Sequence, residues 1–246
     1  MKKALLFVCL LLAMVLPVHA APVAISTLYN TGIDVNGVPM TSGQDPHYRI
    51  LKIDWAYYYG TWNPNSPPTP DGTYQVFSTP YSPYVVSYTH PAWVANGADN
   101  KWISYDPSGS GNTYYGYGLY TYQTTFDLTG LDPNSVQITG YWSTDDVGWM
   151  YLNLADPNIF SLSNMVDSGA SFGALRSFSI SGSNGLFQSG LNTLTFAVWD
   201  AGNAVTGLRM DITSATANQI PEPGTMLLLG SGLAGLIGYG RRRLKK

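Results

Sequence analysis

Apolar and polar side chains alternate with a period of two along the middle of this chain, and this alternation constrains its fold more than any other feature. Between residues 120 and 128, one face consists of Tyr120, Tyr122, Phe126 and Leu128, and the other of Thr121, Gln123, Thr125 and Asp127. The same alternation recurs in 136–142, 149–154 and 194–198. Because a period of two is typical of a strand with one face in a core, we predict a β-strand in each segment.

Turn-forming sequences separate these segments, as at 106–109 and 132–134, where Asp and Pro stand together. Further strands are predicted over 48–54, 73–78, 84–88, 101–105, 175–181 and 205–212. About ten strands without crossover helices favour an all-β architecture. We therefore predict one antiparallel β-sandwich or jelly-roll domain over residues 21–219.

The charge distribution excludes nucleic-acid binding. Residues 21–220 contain five basic side chains and fourteen acidic ones, all of them Asp. Five scattered cations cannot neutralise a row of phosphates. The single cysteine, Cys9, lies near the N-terminus, which excludes a disulfide framework, a thiol nucleophile and a cysteine-based zinc site from the predicted domain.

Residues 1–20 have the parts of a secretory signal peptide. Lys2 and Lys3 precede an apolar run over 4–16, and small residues surround Ala20. We predict a signal helix here, with cleavage after Ala20. The alternative is an uncleaved membrane anchor, although the apolar run is short for a membrane span.

The C-terminal end combines three features in order. Pro221, Glu222 and Pro223 come first, an uncharged and mostly apolar run spans 225–240, and Arg241, Arg242, Arg243, Lys245 and Lys246 lie within 241–246. We predict a single transmembrane helix over 225–240, although a helix of that length reaches only about 24 Å against a hydrocarbon core of about 30 Å. The cations should stay in the cytoplasm, which would place the predicted domain on the outer side of the membrane.

This order of features resembles the PEP-CTERM sorting signal, a short domain that is also labelled the ice-binding protein C-terminal domain. The resemblance covers residues 220–246 and implies export from a Gram-negative bacterium and recognition by a membrane-embedded exosortase. The sorting and processing residues it implies are Pro221, Glu222, Pro223, Arg241, Arg242 and Arg243. The C-terminal helix would hold the protein in the membrane until cleavage near Pro-Glu-Pro transfers the body to the envelope, the cell surface or the exopolysaccharide matrix; a plain tail anchor is the alternative.

The predicted domain itself resembles a β-sandwich that recurs in PEP-CTERM proteins and is similar to galactose-binding-like modules. Its landmarks include residues 45–48, 101–103 and 192–194. The resemblance implies a fold and no particular activity.

Residues suited to catalysis are scarce. His47 and His90 each stand beside a proline, which favours a hydrogen-bonded turn histidine over a catalytic base. Asp145 and Asp146 are adjacent, but neighbours in an extended segment point to opposite faces, whereas a glycosidase needs two carboxylates about 5–10 Å apart across a sugar. We therefore predict no catalytic residue and no cofactor, with a glycan-processing enzyme as the less favoured alternative.

The most favoured ligand is a carbohydrate. If strands 136–142 and 147–154 pair through the intervening turn, three aromatic rings share a surface beside two carboxylates, and such surface patches often mark interaction sites. The candidate ligand-binding residues are Tyr141, Asp145, Asp146, Trp149 and Tyr151. The alternative is that a loop covers the rings in a second small core.

Two other ligands are disfavoured. The Asp-rich turns at 145–146 and 200–203 could offer oxygen atoms to Ca²⁺, but their spacing does not match an EF-hand loop, so no metal site is predicted. Ice binding would need a flat, regular threonine array, which the strands lack. We predict an exported, non-catalytic surface or matrix protein that binds extracellular polysaccharide, or alternatively a structural matrix protein without a specific ligand.

Overall fold

A computed structural model of the chain describes residues 21–54, 74–110, 118–156, 159–202, 205–221 and 223–243. The chain divides into two compact units. One is Ala24–Ala217, and the other combines Met1–Val23 with Asn218–Lys246. The predicted signal peptide, residues 1–20, lies outside the described residues.

The described residues contain twelve strands. They are β1 (Pro22–Ala24), β2 (Tyr48–Asp54), β3 (Tyr74–Tyr81), β4 (Tyr84–Val85), β5 (Ile103–Ser104), β6 (Gly118–Asp127), β7 (Gln137–Asp145), β8 (Val147–Leu152), β9 (Met165–Ala170), β10 (Arg176–Ser181), β11 (Leu191–Asp200) and β12 (Gly207–Asn218). The first sheet has the order β10-β7-β12-β5-β4, with β1 beside β12. The second sheet has the order β3-β2-β6-β11-β8-β9.

The predicted all-β class is confirmed, and the two antiparallel sheets are consistent with a β-sandwich. The alternation predicted β6, β7, β8 and β11 to within a few residues, and the further segments predicted β2, β3, β4, β5 and β10 equally closely. β12 begins near its predicted start but continues six residues beyond the predicted end at 212. Sequence reasoning missed β9, where five of the six residues are half-buried and no alternation is visible. It also missed β1, which has only three residues.

The chain crosses from one sheet to the other between β7 and β8. β7 pairs with β10 and β12, whereas β8 pairs with β11 and β9. The pairing of 136–142 with 147–154, which was the condition for a shared aromatic surface, is therefore not met. The alternation indicates which face of each strand is apolar, but it carries no information about which strands are neighbours.

The main hydrophobic core lies between the two sheets. The second sheet contributes Tyr48, Tyr122, Phe126, Met150 and Phe196, and the first contributes Ile138, Trp142, Phe178 and Met210. Trp142 meets Phe196 with ring centroids 6.0 Å apart, so aromatic packing joins the two sheets. The outward faces of both sheets are thereby left to the intervening loops and to solvent.

The terminal unit contains one helix among its described residues, α1 (Pro223–Arg243). A proline at its first position favours this start, because proline has no N–H to leave unbonded there. In the part of the chain that the structure describes, no helix is both long enough and apolar enough to cross a membrane. The predicted transmembrane helix over 225–240 is therefore not supported.

Candidate functional site

Tyr141 lies on the outer face of the first sheet, with 41% of its surface exposed. Its register partners are Ser177 on β10 and Asp211 on β12. The next residue, Trp142, belongs to the main core. The ring of Tyr141 therefore stands on the solvent side of the sandwich with a hydroxyl and a carboxylate residue beside it.

Trp149 and Tyr151 lie on the outer face of the second sheet, and only 2% and 0% of their surfaces are exposed. They form a second hydrophobic cluster with Leu119, Leu154, Phe160 and Ala197. The rings of Tyr151 and Phe160 are 5.3 Å apart. Residues that follow β8 thus cover the two aromatic side chains, which is the second small core that the sequence had left as the alternative.

The structure does not bring the five predicted ligand-binding residues together on one exposed face. Tyr141 and the pair Trp149 and Tyr151 stand on the outer faces of different sheets. The physical reason is the crossover after β7, which sends the two strands into opposite layers. Trp149 and Tyr151 remain together in the covered cluster on the second sheet, and Asp145 and Asp146 lie side by side at the crossover itself.

Asp145 is a buried carboxyl group held by the chain around it. The indole Nε1–H of Trp93 donates to Asp145 Oδ2 at 2.6 Å, and the hydroxyl of Thr206 donates to its carbonyl at 3.1 Å. The neighbouring Asp146 Oδ2 accepts the backbone N–H of Ala201 at 2.8 Å. Asp200, at the end of β11, is also buried.

We call Asp145, Asp146 and Asp200 the acidic cluster. Burial, followed by the neighbouring Asp146, raises the pKa of Asp145 to about 8. Burial raises the pKa of Asp200 to about 7, and the charge of Asp146 adds to this rise. The hydrogen bond from the Gly202 N–H acts in the opposite direction and lowers the pKa. Asp145 and Asp200 therefore retain their protons to higher pH than exposed carboxyl groups do, because a buried carboxylate lacks the solvation that stabilises its charge.

The acidic cluster has no metal-ligating set around it in the described residues, where no three His, Cys, Asp or Glu side chains are placed to hold a metal ion. Its surroundings are instead aromatic. Trp93 packs on Trp102 with ring centroids 4.3 Å apart, and Trp102 Nε1–H donates to the Val94 carbonyl at 2.8 Å. Sequence reasoning named the turn at 200–203 only as a disfavoured Ca²⁺ site, and it missed Trp93, which meets Asp145 through a contact between distant parts of the chain.

An open groove of about 340 Å³ crosses the outer face of the second sheet. The strands supply Arg49 from β2 and Gln123, Thr125 and Asp127 from β6, and the remaining walls are Thr27, Pro46, His47, Phe126 and Leu191. The polar β6 residues are the non-core face of the alternating segment 120–128. The alternation in 120–128 therefore already indicated the polar face that lines this groove, but not the groove itself.

The groove offers oriented hydrogen-bonding groups beside apolar ones. Arg49 Nη1 donates to the carbonyls of Pro46 at 2.9 Å and Tyr48 at 2.7 Å, which fixes the guanidinium. Asp127 Oδ1 accepts the N–H and hydroxyl of Thr129, and these two bonds lower the pKa of Asp127. Charged groups held in this way can present donors and acceptors to a polar ligand without reorganising.

The two histidines of the described residues make local contacts. The ring of His47 stacks on Tyr29 with centroids 3.7 Å apart, and His47 Nε2 lies 3.0 Å from the Asp34 carbonyl. His90 Nδ1 accepts the Ala92 N–H at 3.3 Å. Both arrangements agree with the predicted turn histidines, and neither ring is placed beside a serine or cysteine nucleophile in these contacts.

Comparison with protein families identifies a PEP-CTERM protein-sorting motif in residues 219–243. The predicted sorting signal is confirmed, and it implies an exported protein that an exosortase sorts to the cell surface. The motif includes Pro221, Glu222, Pro223, Arg241, Arg242 and Arg243.

Comparison with other known proteins adds little. No curated protein matches the sequence. Among solved structures, the carbohydrate-binding module CsCBM6-3 from Clostridium stercorarium, in complex with cellobiose, is 12% identical, with a TM-score of 0.21. The match covers 52% of this chain and 88% of that one. A likeness of this degree identifies neither a ligand nor a site.

Proposed function

We propose that this protein is a non-catalytic component of the cell surface or the exopolysaccharide matrix of a Gram-negative bacterium, where its sandwich binds extracellular polysaccharide. The cell-surface location is supported by the PEP-CTERM motif over residues 219–243. Exosortase is then a transient partner, and the polysaccharide is the lasting one.

Processing should remove the C-terminal cations. The motif places Pro221–Pro223 directly after β12, so cleavage there releases the whole unit Ala24–Ala217. Intact mass spectrometry of protein from the native host should find neither Arg241 nor Lys246. Retention of Lys246 in the mature protein would favour the tail anchor instead.

The groove on the second sheet supports the binding part of the proposal. Gln123 and Thr125 expose an amide and a hydroxyl on its floor, and Leu191 adds an apolar wall. A sugar ring has hydroxyls around its edge and C–H groups on its faces, so it can satisfy such polar groups and pack on the apolar one. Sites of this kind combine apolar lining with a few placed polar groups.

The groove favours binding over hydrolysis. A glycosidase needs a pair of carboxylates flanking the scissile bond. Asp127 is the one carboxylate among the described residues that line the groove. Asp145, by contrast, is buried and bonded to Trp93.

Affinity electrophoresis tests the proposal with soluble polysaccharides of different charge: hydroxyethylcellulose, xylan, alginate and the exopolysaccharide of the native host. Wild type should be retarded by at least one of them, and the double variant Gln123→Ala, Thr125→Ala should lose most of that retardation. The matched control is Ser177→Ala, Ser179→Ala, two exposed hydroxyls on the other sheet. Absence of retardation in every gel would favour the structural matrix protein without a ligand.

A further inference from the structure

The apolar side chain of Phe160 packs beside a charged group and a phenol ring. The centroid of its ring lies 5.3 Å from the centroid of the Tyr151 ring. The ammonium nitrogen of Lys52 lies 5.2 Å from the same Phe160 centroid. Trp149 belongs to the same cluster. Two aromatic rings and a cation thus surround one apolar side chain on the outer face of the second sheet.

Two hydroxyls on this face have no hydrogen-bond partner among the residues that the structure describes. They are Tyr151 Oη and Thr121 Oγ1, and both side chains are fully buried. Thr121 is the register partner of Lys52 and of Ala197, and Ala197 in turn pairs with Trp149, so these residues form one row across four strands. A buried hydroxyl without a partner is costly, and a phenylalanine ring cannot relieve that cost.

The neighbouring row on the same face, which contains Tyr151, leads to the open groove. Tyr151 pairs with Thr195, and Thr195 pairs with Gln123, which lines the groove. The amide of Gln123 donates to the Thr195 hydroxyl at 3.1 Å. A polar ligand in the groove would therefore end at the boundary of the region that Phe160 covers.

We propose that Phe160 fills a second sugar subsite, continuous with the groove, and that a polysaccharide displaces its side chain to reach Trp149, Tyr151 and Thr121. This inference rests on the proposed function of the groove. A sugar ring would replace Phe160 against the aromatic rings, and its hydroxyls would bond to the two unpartnered ones. Phe160 therefore competes with the polysaccharide for the subsite. The apparent affinity equals the affinity of the open subsite multiplied by the fraction of molecules in which Phe160 has left it.

The first test removes the competitor. Phe160→Ala in the full chain should bind the retarding polysaccharide about tenfold more tightly, as expected if about one molecule in ten has the subsite open. The matched controls are Ile159→Ala and Leu162→Ala, whose exposed side chains lie outside the cluster. Adding Trp149→Phe to Phe160→Ala should remove at least part of the gain.

The second test retains the packing and removes one hydroxyl. Tyr151→Phe should melt at the same temperature as wild type or higher, since it deletes an unpartnered buried group, and it should bind the polysaccharide more weakly. A lower melting temperature would show that the hydroxyl is bonded in solution, for example to a buried water, and would overturn the proposal. This variant remains informative if Phe160→Ala does not fold.

The outcomes separate this inference from the proposed function. If the groove variant loses retardation while Phe160→Ala binds like wild type, the groove stands and the second subsite is wrong. If neither wild type nor Phe160→Ala is retarded by any of the four polysaccharides, both proposals fail.

Discussion

Trp93 and Asp145 meet across 52 positions of sequence through a hydrogen bond of 2.6 Å from the indole Nε1–H to Oδ2. The bond joins the segment before β5 to the point where the chain changes sheets. Because both partners are buried, each satisfies a polar group that would otherwise lack a bond. The acidic cluster and the Trp93–Trp102 pair are therefore one structural unit.

Stability should fall as the pH rises from about 4 to about 8. The pKa of Asp145 is raised to about 8 and that of Asp200 to about 7, both from 3.8 and both mainly by burial. The folded protein thus binds more protons than the unfolded chain in this window, so its stability is greatest below the unfolded pKa and is lost as pH rises through the folded values. The loss should amount to several kcal/mol, because each unit of pKa shift corresponds to about 1.4 kcal/mol, and it can be measured as the unfolding free energy in urea at several pH values.

Asp145→Asn should flatten this dependence. The amide oxygen can still accept the bond from Trp93 Nε1, but the side chain has no charge to bury at high pH. Asp99→Asn, on the exposed surface, is the control and should keep the slope of wild type. A slope unchanged in Asp145→Asn would assign the pH dependence to other groups.

Trp93→Phe should destabilise the protein by roughly 2–4 kcal/mol. The change leaves the buried Asp145 carboxyl without its donor and opens a small cavity beside Trp102. The loss should be larger at pH 8 than at pH 5, because an ionised carboxylate needs the donor more than a neutral one. Equal losses at the two pH values would show that packing alone explains the effect.

Trp149→Ala should cost roughly 3–5 kcal/mol, as expected for a large buried aromatic side chain. The matched variant Tyr141→Ala, on the exposed face of the other sheet, should change stability by less than about 1 kcal/mol. Chemical unfolding of both variants compares a buried and an exposed aromatic side chain. A Trp149→Ala variant as stable as wild type would show that Trp149 is exposed, as the predicted ligand-binding surface required.

Phe196→Ala should also cost roughly 3–5 kcal/mol, because Phe196 is fully buried between the sheets. Its ring centroid lies 6.3 Å from that of Tyr48 and 6.0 Å from that of Trp142. The near-ultraviolet dichroism of these aromatic side chains should weaken in the folded variant. An unchanged unfolding midpoint would place Phe196 outside the core.

Local patterns predicted the parts of this protein that depend on local chemistry. The alternation in 120–128 located β6 and both of its faces, and the order Pro-Glu-Pro, apolar run and arginines located the sorting motif. Neither result required knowledge of distant contacts.

The candidate ligand-binding site could not be predicted in the same way. Trp149 and Tyr141 have the same pattern of apolar neighbours, yet one is covered by Phe160 and the other is exposed. Whether each side chain is buried depends on which sheet its strand joins and on which later segment packs over that face. Lys52 was equally unpredictable, since a charged side chain within a strand rarely becomes fully buried.

The position of β12 has a consequence for the order in which the protein can mature. β12 is the last strand of the chain, yet it lies in the middle of the first sheet, between β7 and β5. Until residues 207–217 are available, β10 and β7 have nothing to connect them to β5 and β4. The ribosome must therefore have synthesised almost everything up to the sorting motif before the sandwich can close. A chain that ended before β12 would lack both the sorting motif and the strand that joins the two halves of its first sheet.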